Sequence, residues 1–140
     1  MLGYKLINPN IIGALAGAGH GAKVLIADSN YPAGTKIGPN AELVYMNLTP
    51  GMPSATDVLK TLLDAIEVES AAVMQPDSGP EPEIFEEFRQ TLPKNTEIKK
   101  LGRFEFYDAV QDLDTCLVIQ TGEQRLYANL LLVIGAIAPK

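Results

Sequence analysis

Apolar blocks alternate with stretches of helical period along the whole chain. Asn8-Pro9 is a helix start, an N-cap asparagine followed by proline in the first helical position. The helix it opens carries Ile11, Ile12, Leu15 and Ala16 and stops in Gly17 and Gly19. Lys23 to Ala27 is apolar on both faces, the pattern of a fully buried strand. Asp28 to Gly34 is dense in turn formers, and Glu42 to Leu48 reads as a second strand. Pro50-Gly51-Met52-Pro53 breaks the chain, and Ser54-Ala55-Thr56-Asp57 then forms a capping box. The helix behind it presents Val58, Leu59, Leu62, Leu63 and Ile66 on one face.

The second half repeats the alternation. Ala71 to Met74 is a short strand, Gln75 to Pro82 a loop, and Ile84, Phe85, Phe88 and Leu92 mark an acidic amphipathic helix. Glu97 to Leu101 is a strand candidate and Phe104 to Leu113 a helix. Leu117 to Gln120 and Asn129 to Ile134 are closing strands, joined by the polar connection Thr121 to Tyr127. The pattern predicts an α/β fold: a three-layer domain whose mostly parallel or mixed sheet is covered by helices on both faces. Neither a repeat nor a linker interrupts it, so residues 1–140 are expected to form one domain.

Composition narrows the function. A hydrophobic fraction of 46% and a charged fraction of 20% are those of an ordinary globular protein. The formal charge of −6 and the scattered basic residues argue against a nucleic-acid binder, which needs a basic stripe. No apolar run reaches the roughly 18–20 residues that span a bilayer, and the start lacks the features of a secretory signal. The one cysteine, Cys116, lies in an apolar run as a core residue and fits a reducing compartment, so a cytoplasmic location is expected. A small molecule or another protein is the natural partner.

The chemistry centres on the only histidine, His20, set between Gly19 and Gly21 just before the first strand. Imidazole titrates near neutrality, at about pH 6.5 when unperturbed, and so moves protons without a large environmental shift. A carboxylate, Asp28, stands at the far end of that strand. A structural alternative for His20 is to cap the carbonyls of the preceding helix, and for Asp28 to shape the Ser29-Asn30 turn. Gly17-Ala18-Gly19-His20-Gly21-Ala22 spells a dinucleotide fingerprint, but it closes a helix and precedes a strand, the reverse of what a pyrophosphate site needs. One histidine and one cysteine far apart offer no metal set, and the run Glu81, Glu83, Glu86, Glu87 reads as a solvated face. No serine occupies a strand-to-helix elbow.

Four segments together resemble the ribose pyranase/fucose mutarotase family. They are Gly19-His20-Gly21 with Ala27-Asp28-Ser29-Asn30-Tyr31-Pro32-Ala33; Gly51-Met52-Pro53 leading into a helix; Arg103-Phe104-Glu105-Phe106-Tyr107; and Thr121-Gly122-Glu123 with Tyr127-Ala128-Asn129 before a terminal apolar strand. The first loop and the Arg103 segment look like the fucose branch, since the ribose branch typically shows histidine where Arg103 stands. Some fucose-branch members carry histidine at the place of Asn30.

The resemblance implies an isomerase, a monosaccharide mutarotase that interconverts anomers of L-fucose by acid–base ring opening and reclosure. It implies no metal and no organic cofactor, and a ring-shaped homo-oligomer, commonly a decamer, with sites near subunit contacts. His20 would be the catalytic proton carrier. Asp28, Arg103, Tyr107, Tyr127, Ala128 and Asn129 would bind the sugar. Glu123 would support its loop or serve as a second acid/base, and Glu69 is a further acidic candidate. For Arg103 the structural alternative is a surface ion pair with Glu105 or Asp108. D-ribose pyranase, a non-catalytic sugar-binding accessory of a transport or catabolic system, and a ring-forming scaffold are the rival readings.

Overall fold

The caps and apolar blocks become four helices and six strands in a computed structural model that describes residues 1–140. Helix α1 (Pro9–Gly17) is started by the Asn8 side chain, whose oxygen accepts from the backbone N–H groups of Asn10 and Ile11. Strand β1 (Lys23–Ala27) follows, then β2 (Glu42–Tyr45). Helix α2 (Ala55–Leu62) opens on the full Ser54–Asp57 capping box. Strand β3 (Val68–Met74), helix α3 (Glu83–Thr91), strand β4 (Glu97–Leu101), helix α4 (Arg103–Val110), and strands β5 (Thr115–Gln120) and β6 (Leu130–Ile134) complete the order.

The sheet runs β2-β5-β1-β6-β3-β4. β6 is antiparallel to both β1 and β3, and every other pairing is parallel. Five strands therefore point one way, and their carboxyl ends share an edge with the amino end of β6. In open α/β sheets that edge is where ligands bind.

Alternation along β1 divides the core. Val24 and Ile26 enter a cluster with Ile11 of α1, Leu59 and Leu62 of α2, and Phe85 and Phe88 of α3. Leu25 and Ala27 face the other way, against Phe106 and Val110 of α4 and Tyr31 and Ala33 of the first loop. The sheet is thus covered on both faces, as the sequence pattern requires. Each fully buried side chain such as Leu59 or Phe88 contributes roughly 1.5–3 kcal/mol of burial free energy.

Several boundaries differ from the sequence expectation: β5 begins two residues early at Thr115 and β6 one residue late at Leu130, and four others differ by more. β2 stops at Tyr45 rather than Leu48 because its one neighbour, β5, ends at Gln120, whose carbonyl takes a last bond from Met46 N–H. α2 stops at Leu62, and Ala65 and Ile66 both donate back to the Leu62 carbonyl in a turn. β3 begins at Val68 rather than Ala71, since pairing with Ile134 and Val133 recruits polar residues that break the apolar pattern. α4 runs from Arg103 to Val110 and leaves Leu113 exposed beyond it.

Candidate functional site

A cleft of about 210 Å³ opens at the carboxyl edge of the sheet, lined by Asp28, Asn30, Tyr31, Met74, Arg103, Tyr107, Leu126, Tyr127 and Asn129. These residues meet because each follows or ends a strand that points to this edge, or, for Asn129, precedes the one strand that leaves it. Asp28 is 3% exposed. Its Oδ1 accepts from Asn30 N–H at 3.0 Å and its Oδ2 from Asn129 Nδ2 at 3.1 Å. Asn129 Oδ1 in turn accepts from the Asp28 backbone N–H at 2.8 Å, which fixes the amide orientation, because a backbone N–H can only donate. Burial pushes the Asp28 carboxyl above its usual range, against those two bonds and the Tyr31 and Ala128 N–H groups, which face it without full hydrogen-bond geometry. An ionised carboxylate has about four lone-pair sites, so two bonds leave acceptor capacity for a ligand.

Across the cleft, Arg103 starts α4 and lies 5.7 Å from the ring centroids of both Phe104 and Tyr107. Its Nε donates to Tyr107 Oη at 3.3 Å, and that bond holds the guanidinium pKa above its ordinary value. It makes no ion pair with Glu105 or Asp108. Tyr31 packs edge-on against Tyr107 at 5.7 Å and donates to the Lys36 carbonyl at 2.6 Å, so its ring is anchored and its hydroxyl engaged.

The remaining wall is the connection between β5 and β6, which Thr121-Gly122-Glu123 locks in place. Thr121 Oγ1 donates to the Ala27 carbonyl at 2.8 Å and accepts from Glu123 N–H at 3.1 Å. Gly122 sits so close to the loop before α2 that a Cβ would lie 2.4 Å from the Met52 carbonyl oxygen and 2.5 Å from that of Thr49. Glu123 is 4% exposed. Its carboxylate accepts from Ala55 N–H at 3.1 Å at the start of α2, and from Arg125 through N–H, Nε and Nη2 at 2.9–3.0 Å. Burial alone would raise its pKa, but the Arg125 and Ala55 hydrogen bonds outweigh it and bring the carboxyl down to about 2. Arg125 also pairs with Glu87 of α3. Glu123 thus stands behind the cleft, holding the connection. Tyr127 follows with φ of 61°, a left-handed backbone that costs a non-glycine residue on the order of 1 kcal/mol and persists where surroundings impose it. Ala128 is fully buried between Tyr127 and Asn129.

His20 and Glu69 lie at the other edge of the sheet. Gly19-His20-Gly21-Ala22 is a turn closed by an Ala22 N–H to Gly19 carbonyl bond of 3.1 Å, with Gly21 at φ +86° in the third position. A type II turn demands that angle there, which explains the second glycine. His20 projects from the tip, its side chain 62% exposed, with Nε2 2.5 Å from Glu69 Oε2 near the start of β3. It does not cap α1, whose last N–H bond runs from Ala18 to the Leu15 carbonyl. The five-residue strand β1, at about 3.3 Å per residue, separates the turn that carries His20 from Asp28 by roughly 17 Å. Within one chain the two never share a pocket.

Met74, Leu126, Asn30 and Tyr31 line the cleft without having been singled out as binding residues. Met74 reads as core in an apolar strand, yet its place at the carboxyl end of β3 marks it. No group of three or more His, Cys, Asp or Glu is arranged to hold a metal ion. Cys116 is half-buried, donates toward the Lys23 carbonyl, and has its thiol pKa raised by burial. No helix is long and apolar enough to cross a membrane.

Residues 1–137 match the model of the RbsD / FucU transport protein family. A fucose mutarotase of Homo sapiens is 34% identical over 145 residues, covering 95% of this chain and 91% of that protein. A D-ribose pyranase of Clostridium perfringens is 29% identical over 133 residues, covering 95% and 96%. Among solved structures, Bacillus subtilis RbsD complexed with D-ribose superposes with a TM-score of 0.82 at 27% identity, over 99% of this chain and all of that one. The fucose mutarotase of Streptococcus pneumoniae, in complex with L-fucose, has a TM-score of 0.84 at 24% identity over the same shares, a likeness of fold.

Proposed function

The chain belongs to the RbsD / FucU family, and on that premise we propose that it is a monosaccharide mutarotase acting on L-fucose, with its site completed between two copies of the chain. One observation carries the sugar reading: a buried carboxylate, Asp28, with lone pairs to spare, facing an arginine fork and tyrosine rings across a cleft sized for a single small ring. Carboxylate and amide grip hydroxyls, while an aromatic face takes the apolar side of a sugar ring. Fucose is favoured over ribose because Met74 and Leu126 offer apolar contact to a 6-methyl group, which ribose lacks. The Arg103 segment adds support, as does the relative named a fucose mutarotase.

His20 is the proton carrier, and its distance from Asp28 means that it enters the cleft of a neighbouring copy. A homo-oligomer follows, and a closed ring such as a decamer satisfies the geometry by repeating one contact. In the cleft, the imidazole takes the proton of the anomeric hydroxyl. The O–H electron pair becomes the C1 carbonyl bond, the C1–O5 bond breaks onto O5, and O5 receives the proton. The aldehyde then rotates and the steps reverse on its other face. Both oxygens sit on C1, so one imidazole can serve both.

D-ribose pyranase is the second reading, favoured by the relatives of that name. Exchange NMR on a sugar panel separates the two. The expected result is fast exchange between α- and β-L-fucopyranose and little acceleration of pyranose–furanose exchange of D-ribose. The reverse ranking would make the protein a pyranase; no acceleration with any sugar, alongside saturable binding, would make it a sugar-binding accessory.

A further inference from the structure

His20 presents two ring nitrogens, and only one of them is free to do chemistry. Nε2 is held 2.5 Å from Glu69 Oε2, and no hydrogen bond reaches Nδ1. A carboxylate only accepts, so in the neutral ring the proton sits on Nε2 and the lone pair on Nδ1. Two features of the backbone make this pairing deliberate rather than incidental. The type II turn fixes His20 at its tip by way of Gly21 at φ +86° and the Gly21 N–H bond to the Ile134 carbonyl at 2.9 Å. Glu69 is carried on β3, whose pairing with β6 extends to Val68 opposite the same Ile134. The imidazole and the carboxylate therefore hang from adjacent positions of one hydrogen-bonded framework, forty-nine residues apart in sequence.

We propose that Glu69 is the positioning residue of His20: it pins the Nε2–H tautomer and the ring plane, leaving Nδ1 as the atom that exchanges protons with the sugar. The inference rests on His20 being the proton carrier. In the step described above, Nδ1 accepts the anomeric proton, the ring becomes imidazolium with its new charge beside the Glu69 carboxylate, and Nδ1–H returns the proton to O5. Glu69 stays ionised throughout. Its contribution is orientation and the stabilisation of a positive charge that exists only while the proton is on the ring.

A single histidine makes the test clean, because its ring nitrogens are the only imidazole signals in a ¹⁵N spectrum of the whole protein. At a pH where the ring is neutral, the wild type is expected to show Nε2 protonated and Nδ1 bare. Glu69→Gln replaces the obligate acceptor with an amide that can accept or donate, and is expected to give a mixture of tautomers. Glu67→Gln removes an equal charge from a neighbouring exposed residue without touching the ring, and is expected to leave the spectrum unchanged. In kinetics, Glu69→Gln is expected to lower kcat by about tenfold or more, a part of the roughly 10²–10⁴-fold that acid–base help supplies, with KM little changed. A wild-type ring protonated on Nδ1, or a Glu69→Gln spectrum and kcat equal to wild type, would overturn the positioning role. The tautomer is read without turnover, so a protein that shows no mutarotation defeats the functional reading while this pairing is still judged by the spectrum.

Discussion

His20→Ala is expected to slow α/β-fucose exchange by roughly 10²–10⁴-fold while leaving the fold intact, the factor that general acid–base help supplies. The side chain is 62% exposed in the chain, and its only hydrogen bond is to Glu69, itself 53% exposed. Losing a pair of that kind changes stability by about 1 kcal/mol or less. The groups proposed to grip the ring, Asp28, Arg103, Tyr107 and Asn129, are untouched at the opposite edge of the sheet. Sugar affinity should therefore survive where turnover does not. Thermal melting with and without L-fucose reads this directly, since a ligand that binds only the folded state raises the midpoint by mass action. A His20→Ala protein that exchanges anomers within threefold of wild type would remove the imidazole from the chemistry.

Gly122→Ala is expected to be the most damaging single methyl in the protein. The added Cβ would meet three backbone atoms, the Met52 and Thr49 carbonyl oxygens at 2.4 and 2.5 Å and Met52 N at 2.7 Å. No side chain can rotate out of the way, so the backbone itself has to move. Moving it breaks the bond from Gly122 N–H to the Pro53 carbonyl at 3.0 Å and that from Gly51 N–H to the Gly122 carbonyl at 2.6 Å. It also disturbs Glu123, whose bonds to Ala55 and Arg125 hold the cleft wall. A loss of about 3 kcal/mol or more follows, and a fall in Tm of roughly 10 °C for a chain of this size. Gly19→Ala is the contrast, because nothing lies within 4 Å of its Cβ and its φ is not positive. Equal melting temperatures for the two variants would show that the crowding at Gly122 relaxes at little cost.

The sequence was most legible where one residue type has one physical job. Asn8 before Pro9 and Ser54 before Asp57 announce helix starts because few other side chains satisfy orphan N–H groups, and both caps are formed. Strand length was least legible, because a neighbour sets it. The apolar Met46 and Leu48 extend the pattern of β2, but β5 has already ended. Asp28, Arg103, Tyr127 and Asn129 were gathered by the family resemblance rather than by any local pattern, and the fold brings them to one cleft because each stands at a strand end on the same edge. The separation of His20 was not read from the sequence, where the resemblance sets it in one site with Asp28, although the five-residue strand between them carries the two apart within a chain. Met74 escaped because a methionine closing an apolar strand has the signature of core, and it serves both roles. The Arg125 bridge from Glu123 to Glu87 had no sequence signal, as it joins residues brought close only by the docking of α3.

The central claim is that one copy supplies the imidazole and another the carboxylate, and subunit mixing tests it most directly. His20→Ala and Asp28→Asn each remove one half of the site, so each alone is expected to be inactive. Co-expressed in equal amounts and purified as mixed oligomers, they should regain activity, since about a quarter of the contacts between copies then join an intact His20 to an intact Asp28. Mixed oligomers as inactive as either variant alone would mean that the two residues never meet across a subunit contact.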